Sequence, residues 1–550
     1  MKTIFKLAFV FVFAFYCGAQ NNIFKASQNS NPKLIVGIVV DQMRYDYLTR
    51  FYDKYGDGGF KRMMNEGFNC KNNHFNYVPT STGPGHASIY TGTTPKYHGV
   101  IGNDWYDKEL KSMVYCVEDD SVQSIGAETS DGQMSPHRMK TTTFGDENRL
   151  FTQMRGKTIG ISIKNRGAIL PAGHTANAAY WFDYEHEGSG NFITSSFYMD
   201  ELPKWVQDFN KSGVAESYFK VWDTYYDIAN YSESGSDLNA YERIFKGKQT
   251  ATFPYDLNEL KGENENFKII ADSPFGNSLV TDFALKAIDA EVLGKDDITD
   301  VLAISYSSTD KVGHDFGPNS KEIEDTYIRL DLELERLFDV LDQNIGEGQY
   351  TVFLTSDHAA PNVPAYLADN KIPSGNVNSR MHYQKIREFI TNEFGDASLF
   401  ESINNNQIFL NREKIKELDL DLYDVQQKIV NEFITYPNIY KAYTATTMST
   451  IAYTEGIEYL LEKGFNQKRS GDILFVYDPA YISYGRTGTN HGSGFNYDTH
   501  APLLFFGKGI KHGETLQKTE ITDIAPTMSA LLGISFPNAS IGRPLEFVLE

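Results

Sequence analysis

The chain repeats one pattern: a short apolar run is followed within a few residues by acidic and histidine side chains. The runs are residues 34–40, 301–306 and 350–355. The polar side chains that follow them are Asp41, Asp310, His314, Asp357 and His358. Apolar runs of this length, bounded by turn residues, are typical of buried strands in a parallel sheet. Because the carboxyl ends of parallel strands meet at one edge, where ligands bind, we expect these side chains to converge.

The rest of the chain favours the same architecture. Further apolar runs predict strands at 158–163 and 502–506, and helical patterns lie at 58–66, 83–90, 277–290, 323–343 and before Gly533. This alternation predicts an α/β fold, a three-layer α/β/α sandwich around a largely parallel sheet. A single catalytic domain is expected over 32–550. Two polar, turn-rich intervals, roughly 172–272 and 361–471, are interpreted as insertions that cap the active-site face.

The acidic and histidine residues sort into two ligand sets. Asp310 and His314 are four apart, so one helical turn places both side chains on one side. With His491, from a Gly-rich loop, they offer two imidazoles and a carboxylate, which suits a catalytic zinc. The second set has more oxygen and consists of Asp41, Asp357, His358 and the hydroxyl of Thr82. The alternative is that the carboxylates cap strand ends and the histidines pack in the core.

Thr82 lies in the sequence Pro-Thr-Ser-Thr-Gly-Pro-Gly-His, where a helix is predicted to begin. A helix N-terminus stabilises a phosphate or an alkoxide. Metal coordination would lower the pKa of the hydroxyl enough to make it a nucleophile. Thr80 and Ser81 are competitors, and Thr82 is favoured because it directly precedes the Gly-Pro-Gly turn. Together these features indicate a metal-dependent hydrolase of phosphate esters.

The N-terminus and the composition indicate an exported protein. Residues 1–19 combine lysines, an apolar run and small residues, as a secretory signal peptide does, and the run is too short to span a membrane. Export to the periplasm or secretion is therefore expected. Lipid attachment at Cys17 is the alternative, which the bulky residues before it disfavour. Cys70 and Cys116 could form a disulfide or remain separate thiols.

The charge excludes some partners. Lys and Arg number 51 against 72 Asp and Glu, a formal net charge of -21. Such a surface repels nucleic acid and anionic membranes, so no nucleic-acid binding surface is expected. An anionic substrate would need a site made locally positive by metals and a few cations.

Several spaced motifs resemble one known group of enzymes. They are Gly-Ile-Val-Val-Asp-Gln-Met-Arg at 37–44, Thr-Gly-Pro-Gly-His-Ala-Ser at 82–88, His-Gly-Val-Ile-Gly-Asn at 98–103, Ser-Thr-Asp-Lys-Val-Gly-His at 308–314, Thr-Ser-Asp-His at 355–358 and His-Gly-Ser at 491–493. In this order they resemble the alkaline phosphatase superfamily, most closely its secreted, phosphate-irrepressible alkaline phosphatases.

The resemblance implies two zinc ions and Thr82 as a nucleophile that is transiently phosphorylated. It also implies that Asn103, Lys164 and Arg166 hold the non-bridging phosphoryl oxygens. Lys164 and Arg166 follow a predicted strand and alternate onto the same side, so both can face one dianion. A third metal ion is not expected with this residue set. No Cys-x-Pro-x-Arg or Ser-x-Pro-x-Arg motif of the sulfatases is present.

The expected function is an exported zinc-dependent alkaline phosphatase, broad in its leaving group. It would act on small phosphate monoesters through a phosphothreonine intermediate and work as a monomer. One alternative is a phosphodiesterase or nucleotide pyrophosphatase of the same superfamily, which the paired cations Lys164 and Arg166 disfavour. The other is a non-catalytic exported phosphate- or zinc-binding protein, which would not need Thr82.

Overall fold

A ten-stranded sheet forms the centre of the computed structural model, which describes residues 31–186 and 188–550. The signal peptide expected at 1–19 lies outside the described residues. The strands, in chain order, are β1 (Leu34–Val40), β2 (Phe68–Cys70), β3 (Ser124–Ile125), β4 (Thr158–Ser162), β5 (Ala178–Phe182), β6 (Phe192–Ser195), β7 (Asp300–Tyr306), β8 (Tyr350–Thr355), β9 (Leu503–Gly507) and β10 (Gly513–Thr515).

The spatial order of the strands brings the predicted ligands to one edge. It runs β10-β2-β9-β8-β1-β7-β4-β5-β6-β3, and the five strands from β8 to β5 are parallel. At the end of β1, Val39 lies opposite Thr355 of β8 and Val40 opposite Tyr306 of β7. The side chains that follow these three strands therefore start from the same edge of the sheet, as the sequence predicted.

Helices cover both faces of this sheet. Those of eight or more residues in the described part are α1 (Thr82–Thr91), α2 (Phe144–Phe151), α3 (Asn165–Ala172), α4 (Phe275–Ala290), α5 (Ser308–Phe316), α6 (Lys321–Asn344), α7 (Ser379–Phe394), α8 (Leu422–Phe433), α9 (Gly456–Gly464) and α10 (Ile524–Leu532). Even-numbered residues of β1 pack with α4 and α6, and Ile35 and Val39 pack with α1, α2 and α10. This confirms the predicted three-layer sandwich.

The two intervals interpreted as insertions have different structures. The first adds β5 and β6 to the main sheet and then packs on the first turns of α6. There Asp325 accepts hydrogen bonds from Trp222 Nε1 (2.8 Å) and Tyr231 Oη (2.5 Å), and Glu322 accepts one from Tyr255 Oη (2.5 Å). Most of a second, four-stranded sheet lies in the other interval, at Phe400–Asn404, Gln407–Leu410, Ile439–Thr444 and Ile473–Tyr477. The boundaries 172–272 and 361–471 stay predictions.

Three smaller findings complete the description. Cys70 and Cys116 are buried free thiols, which resolves the alternative that the sequence left open. Among the described residues, no helix is both long enough and apolar enough to span a bilayer. The last helix, α10, spans Ile524–Leu532. It ends as predicted, because Gly533 adopts the left-handed conformation (φ 65°) that terminates helices.

Candidate active site

One ligand group lies where β1 and β8 end. Asp41, Asp357 and His358 are fully buried, and one atom of each lies within 4.8 Å of the others. His358 Nε2 is 3.5 Å from Asp41 Oδ1 and 3.6 Å from Asp357 Oδ2. Within the described part of the chain, these same three atoms are buried without a hydrogen-bond partner. Since buried polar atoms are normally satisfied, an orphaned set of two oxygens and one nitrogen fits a bound cation.

A second group lies beside the first. His314, one turn along α5 from Asp310, places its Nε2 3.1 Å from Asp310 Oδ1, and His491 Nε2 is 3.8 Å from the same oxygen. The rings of His358 and His491 stack at 3.4 Å, so the two groups share a border. Asp310, His358 and His491 also offer ligand atoms within 4.8 Å of one another. The structure thus brings together all six acidic and histidine residues that the sequence singled out.

Backbone carbonyls orient the three histidines. His314 Nδ1 lies 2.8 Å from Thr489 O, His491 Nδ1 lies 2.7 Å from Thr80 O, and His358 Nδ1 lies 3.1 Å from Ala359 O. A carbonyl can only accept, so each Nδ1 carries a proton and Nε2 is the ring nitrogen that is directed to the ligand groups. This is the tautomer that a metal ligand requires, and it is fixed by the fold.

Lys164 joins the two groups. It follows β4, is almost fully buried, and donates from Nζ to Asp41 Oδ2 (2.7 Å) and Asp310 Oδ2 (2.5 Å). Burial acts to raise the pKa of Asp310, but His314 and Lys164 together hold that pKa well below its usual value. Burial and the neighbouring carboxylates of Asp310 and Asp357 raise the pKa of Asp41. Concentrated negative charge of this kind is compensated by cations.

Thr82 is the first residue of α1 and is buried beside these groups. Asn103 accepts a hydrogen bond at Oδ1 from the backbone N–H of Gly83 (2.7 Å), which places the Asn103 amide next to Thr82. Arg166 Nη2 lies 3.5 Å from Thr82 Oγ1. By contrast, the competing hydroxyl of Thr80 donates to Ser493 O (2.8 Å). The threonine favoured from the sequence therefore faces the predicted phosphate ligands.

Close packing of α1 on the strand ends is possible because of a glycine. A Cβ at Gly85 would lie 2.2 Å from the carbonyl oxygen of Asp357 and 2.7 Å from its Cβ. No side chain fits there without displacing the residue that follows β8. The Gly-Pro-Gly segment thus allows Thr82 and Asp357 to share one site.

Two residues at the site were missed from the sequence. Gln42, in the left-handed conformation (φ 64°), donates from Nε2 to Asp310 Oδ1 (2.6 Å) and from its backbone N–H to Asp357 Oδ1 (3.2 Å). His86, one turn after Thr82 in α1, places Nδ1 3.3 Å from Asp357 Oδ2. The only sign of them in the sequence was their position: Gln42 directly follows Asp41, and His86 lies at helical spacing from Thr82.

Comparison with known proteins identifies the family. The family model of type I phosphodiesterases and nucleotide pyrophosphatases matches residues 35–501. The chain belongs to this family. It thus lies within the alkaline phosphatase superfamily, and the resemblance seen in the sequence motifs is confirmed.

Full-length relatives refine the comparison. The chain is 45% identical over 522 residues to alkaline phosphatase PhoV of Synechococcus elongatus, a match that covers 95% of this chain and 94% of that protein. It is 43% identical over 542 residues to a Myroides odoratus protein named calcium-transporting ATPase, covering 98% of each. It is also 43% identical over 536 residues to alkaline phosphatase PafA of Elizabethkingia meningoseptica, covering 97% and 96%. The crystal structure of wild-type PafA superimposes with a TM-score of 0.90 and 43% identity, over 94% of this chain and 99% of that one.

Proposed function

We propose that this protein is an alkaline phosphatase, a zinc-dependent hydrolase of phosphate monoesters that acts through phosphorylated Thr82. The observation that carries the proposal is the convergence of Thr82, the buried Lys164, the partly buried Arg166 and two ligand groups at one edge of the sheet. Two relatives with near full-length matches, PhoV and PafA, are alkaline phosphatases, which supports the monoesterase reading over the phosphodiesterase alternative.

Two zinc ions suit the ligand groups. Asp310, His314 and His491 would hold one ion, and Asp41, Asp357, His358 and the Thr82 oxygen would hold the other. Mixed nitrogen and oxygen ligation favours zinc, whereas magnesium would avoid two histidines in one site. When bound, zinc supplies positive charge and lowers the pKa of a coordinated hydroxyl or water toward neutrality.

The residues of the chain divide the reaction into two transfers. The Thr82 oxygen, having lost its proton, attacks phosphorus in line with the leaving group. The bond from phosphorus to the ester oxygen breaks, the leaving group takes up a proton and departs as an alcohol or phenol, and phosphothreonine is formed. Water then attacks the same phosphorus from the side that the leaving group vacated, releases phosphate and restores Thr82. Meanwhile Lys164, Arg166 and the Asn103 amide hold the non-bridging oxygens. Positioning and electrostatics of this kind supply most of the acceleration in phosphoryl transfer.

Charge selects monoesters over diesters. Lys164 is almost fully buried and Arg166 is partly buried at the site, so water screens these cations less than it would on an open surface. A monoester dianion carries one more negative charge than a diester and gains more from two such cations. The net negative surface makes this local reversal of charge necessary for an anionic substrate.

The test compares an aryl phosphate monoester with its methyl diester. The expected result is a kcat/KM ratio strongly in favour of the monoester. Thr82→Ala should lower monoester turnover by a factor on the order of 10³ or more and abolish acid-stable phosphothreonine, while Thr82→Ser keeps a working oxygen. Ser81→Ala is the matched control and should change neither. Near full activity in Thr82→Ala would contradict the assignment.

We extend the proposal to location and assembly. The chain is proposed to be exported to the periplasm or secreted after removal of residues 1–19, to act as a monomer on small phosphate monoesters, and to bind no nucleic acid. N-terminal sequencing of the protein from the culture medium and the periplasm tests the first point. Light scattering of the purified protein tests the second.

A further inference from the structure

Tyr115 contacts Arg166 from outside the set of residues assigned to the reaction. It ends a hairpin formed by Asp104–Asp107 and Ser112–Tyr115. Arg166 Nη1 donates to Tyr115 Oη at 2.9 Å, and Tyr115 Oη donates to Asn165 Oδ1 at 2.6 Å. Asn165 Oδ1 also accepts from the backbone N–H of Arg166 at 2.7 Å. Arg166, Tyr115 and Asn165 thus form a closed ring of hydrogen bonds that includes Nη1 of the guanidinium.

This ring does not involve the other edge of the guanidinium, which is directed toward Thr82. Nη1 is taken by Tyr115, and Nη2 points toward Thr82 Oγ1 at 3.5 Å. In the described part of the protein, Arg166 Nε is buried without a hydrogen-bond partner. Nε and Nη2 form the side-on edge of the planar guanidinium, which binds two oxygens of one phosphate. A buried donor without a partner is rare, so the Nε–H group is available to a ligand oxygen.

The same hairpin carries a second phosphate ligand. Asp104 pairs with Tyr115 in the hairpin, and Cys116 N donates to Asn103 O at 2.8 Å. The backbone of Asn103, one residue before the hairpin, is therefore held beside Tyr115. The hairpin thus lies beside the Asn103 amide and, through Tyr115, beside the Arg166 guanidinium.

We propose that Tyr115 is a positioning residue that holds Arg166 with its Nε and Nη2 edge toward the transferred phosphoryl group. It thereby contributes to the preference for monoesters, an inference that rests on the proposed function of the site. Burial raises the pKa of Tyr115, so its hydroxyl stays neutral in alkaline solution and can both accept from Arg166 and donate to Asn165. Phenylalanine would keep the ring but lose both hydrogen bonds.

The experiment is a double-mutant cycle of Tyr115→Phe and Arg166→Ala, measured as kcat/KM for the aryl phosphate monoester and its methyl diester. Tyr106→Phe is the matched control, because Tyr106 lies in the same hairpin but packs on Phe409 (ring centroids 5.5 Å). Inorganic phosphate serves as a second probe through its inhibition constant. Thermal midpoints identify any variant that fails to fold.

We expect Tyr115→Phe to lower monoester kcat/KM roughly tenfold, the loss associated with one hydrogen bond to a charged group. The diester should lose less, phosphate should inhibit more weakly, and Tyr106→Phe should match wild type. In the Arg166→Ala background, Tyr115→Phe should have almost no further effect, because the residue that it positions is gone. A merely structural role would lower both substrates equally in both backgrounds.

The outcomes separate the two proposals. If Arg166→Ala impairs monoester hydrolysis while Tyr115→Phe does not, the positioning role is wrong and the proposed function stands. An equal effect of Tyr115→Phe in both backgrounds also overturns the positioning role. If Arg166→Ala leaves monoester hydrolysis intact, the assignment of Arg166 to the phosphoryl group fails, and the inference about Tyr115 fails with it.

Discussion

A pair of buried carboxyls makes the attachment of the first insertion sensitive to pH. Glu322, on the first turn of α6, is fully buried, and Glu242 of the insertion is 5% exposed. One oxygen of Glu322 accepts from Tyr255, and one oxygen of Glu242 accepts from Asn239. The second oxygen of each is buried and has no hydrogen-bond partner among the residues that the structure describes. Burial and then the charge of Glu322 raise the pKa of Glu242 to about 9. Burial raises the pKa of Glu322 to about 8.

The consequence for stability follows from proton binding. A carboxyl with a raised pKa binds its proton more tightly in the folded state, so its stabilising effect is complete at low pH. That effect is lost as pH rises from the unfolded value of 4.5 toward about 9 for Glu242. The slope within this window is about 1.4 kcal/mol per pH unit. Ionisation of this buried pair should therefore lower the free energy of unfolding by several kcal/mol between about pH 5.5 and about pH 8.5.

The assay compares wild type with Glu242→Gln by denaturant unfolding at these two pH values. Glutamine resembles the protonated carboxyl, so the variant should be more stable than wild type by only about 1 kcal/mol at the lower pH and by several kcal/mol at the higher pH. Glu259→Gln, an exposed substitution in the same insertion, is the control. A stability difference between wild type and Glu242→Gln that does not change with pH would refute the reasoning.

Three further predictions concern the site. The Lys164→Ala, Arg166→Ala double variant should lose several kcal/mol of transition-state stabilisation for the monoester, at roughly 1.5–3 kcal/mol per charged hydrogen bond, and much less for the diester; an unchanged kcat/KM ratio would favour the diesterase reading. Chelation should abolish turnover and zinc should restore it, and metal analysis that finds no zinc in active protein would reject this. Gly85→Ala should lower zinc content and activity, because its Cβ would lie 2.2 Å from the Asp357 carbonyl, whereas Gly262→Ala has open space; normal zinc content in Gly85→Ala would contradict the packing argument.

The sequence predicted those parts of the fold that follow from periodicity. Strands β1 and β8 have the predicted bounds, and β4, β7 and β9 differ by one residue at one end or both. Five of the six ligand residues were visible because each lies within a few residues of the end of a buried strand or one helical turn further on, whereas His491 was recognised from its Gly-rich loop. Whether these residues bind zinc and phosphate stays a prediction.

Other features depend on contacts between distant segments and have no local signal. Strand β5 was placed in a capping insertion because its aromatic residues resemble those around it, yet it pairs in parallel with β4. The direction of β9, antiparallel to β8, depends on its partner. Tyr115 was not singled out because a hairpin brings it to Arg166 without any apolar periodicity, and the position of Gln42 beside Asp41 did not indicate its left-handed conformation.

The place of β9 in the sheet has a consequence for how the chain acquires its structure. Strand β2 joins the sheet through β9, which lies between it and β8. The backbone of β2, near residue 70, can therefore pair with the sheet only after β9, near residue 505, has joined it. The edge of β8 that pairs with β9 therefore stays unpaired until the chain has been synthesised almost to its last residues. Long-range pairing of this kind slows folding and leaves strand edges exposed to aggregation until the C-terminal strands have joined the sheet.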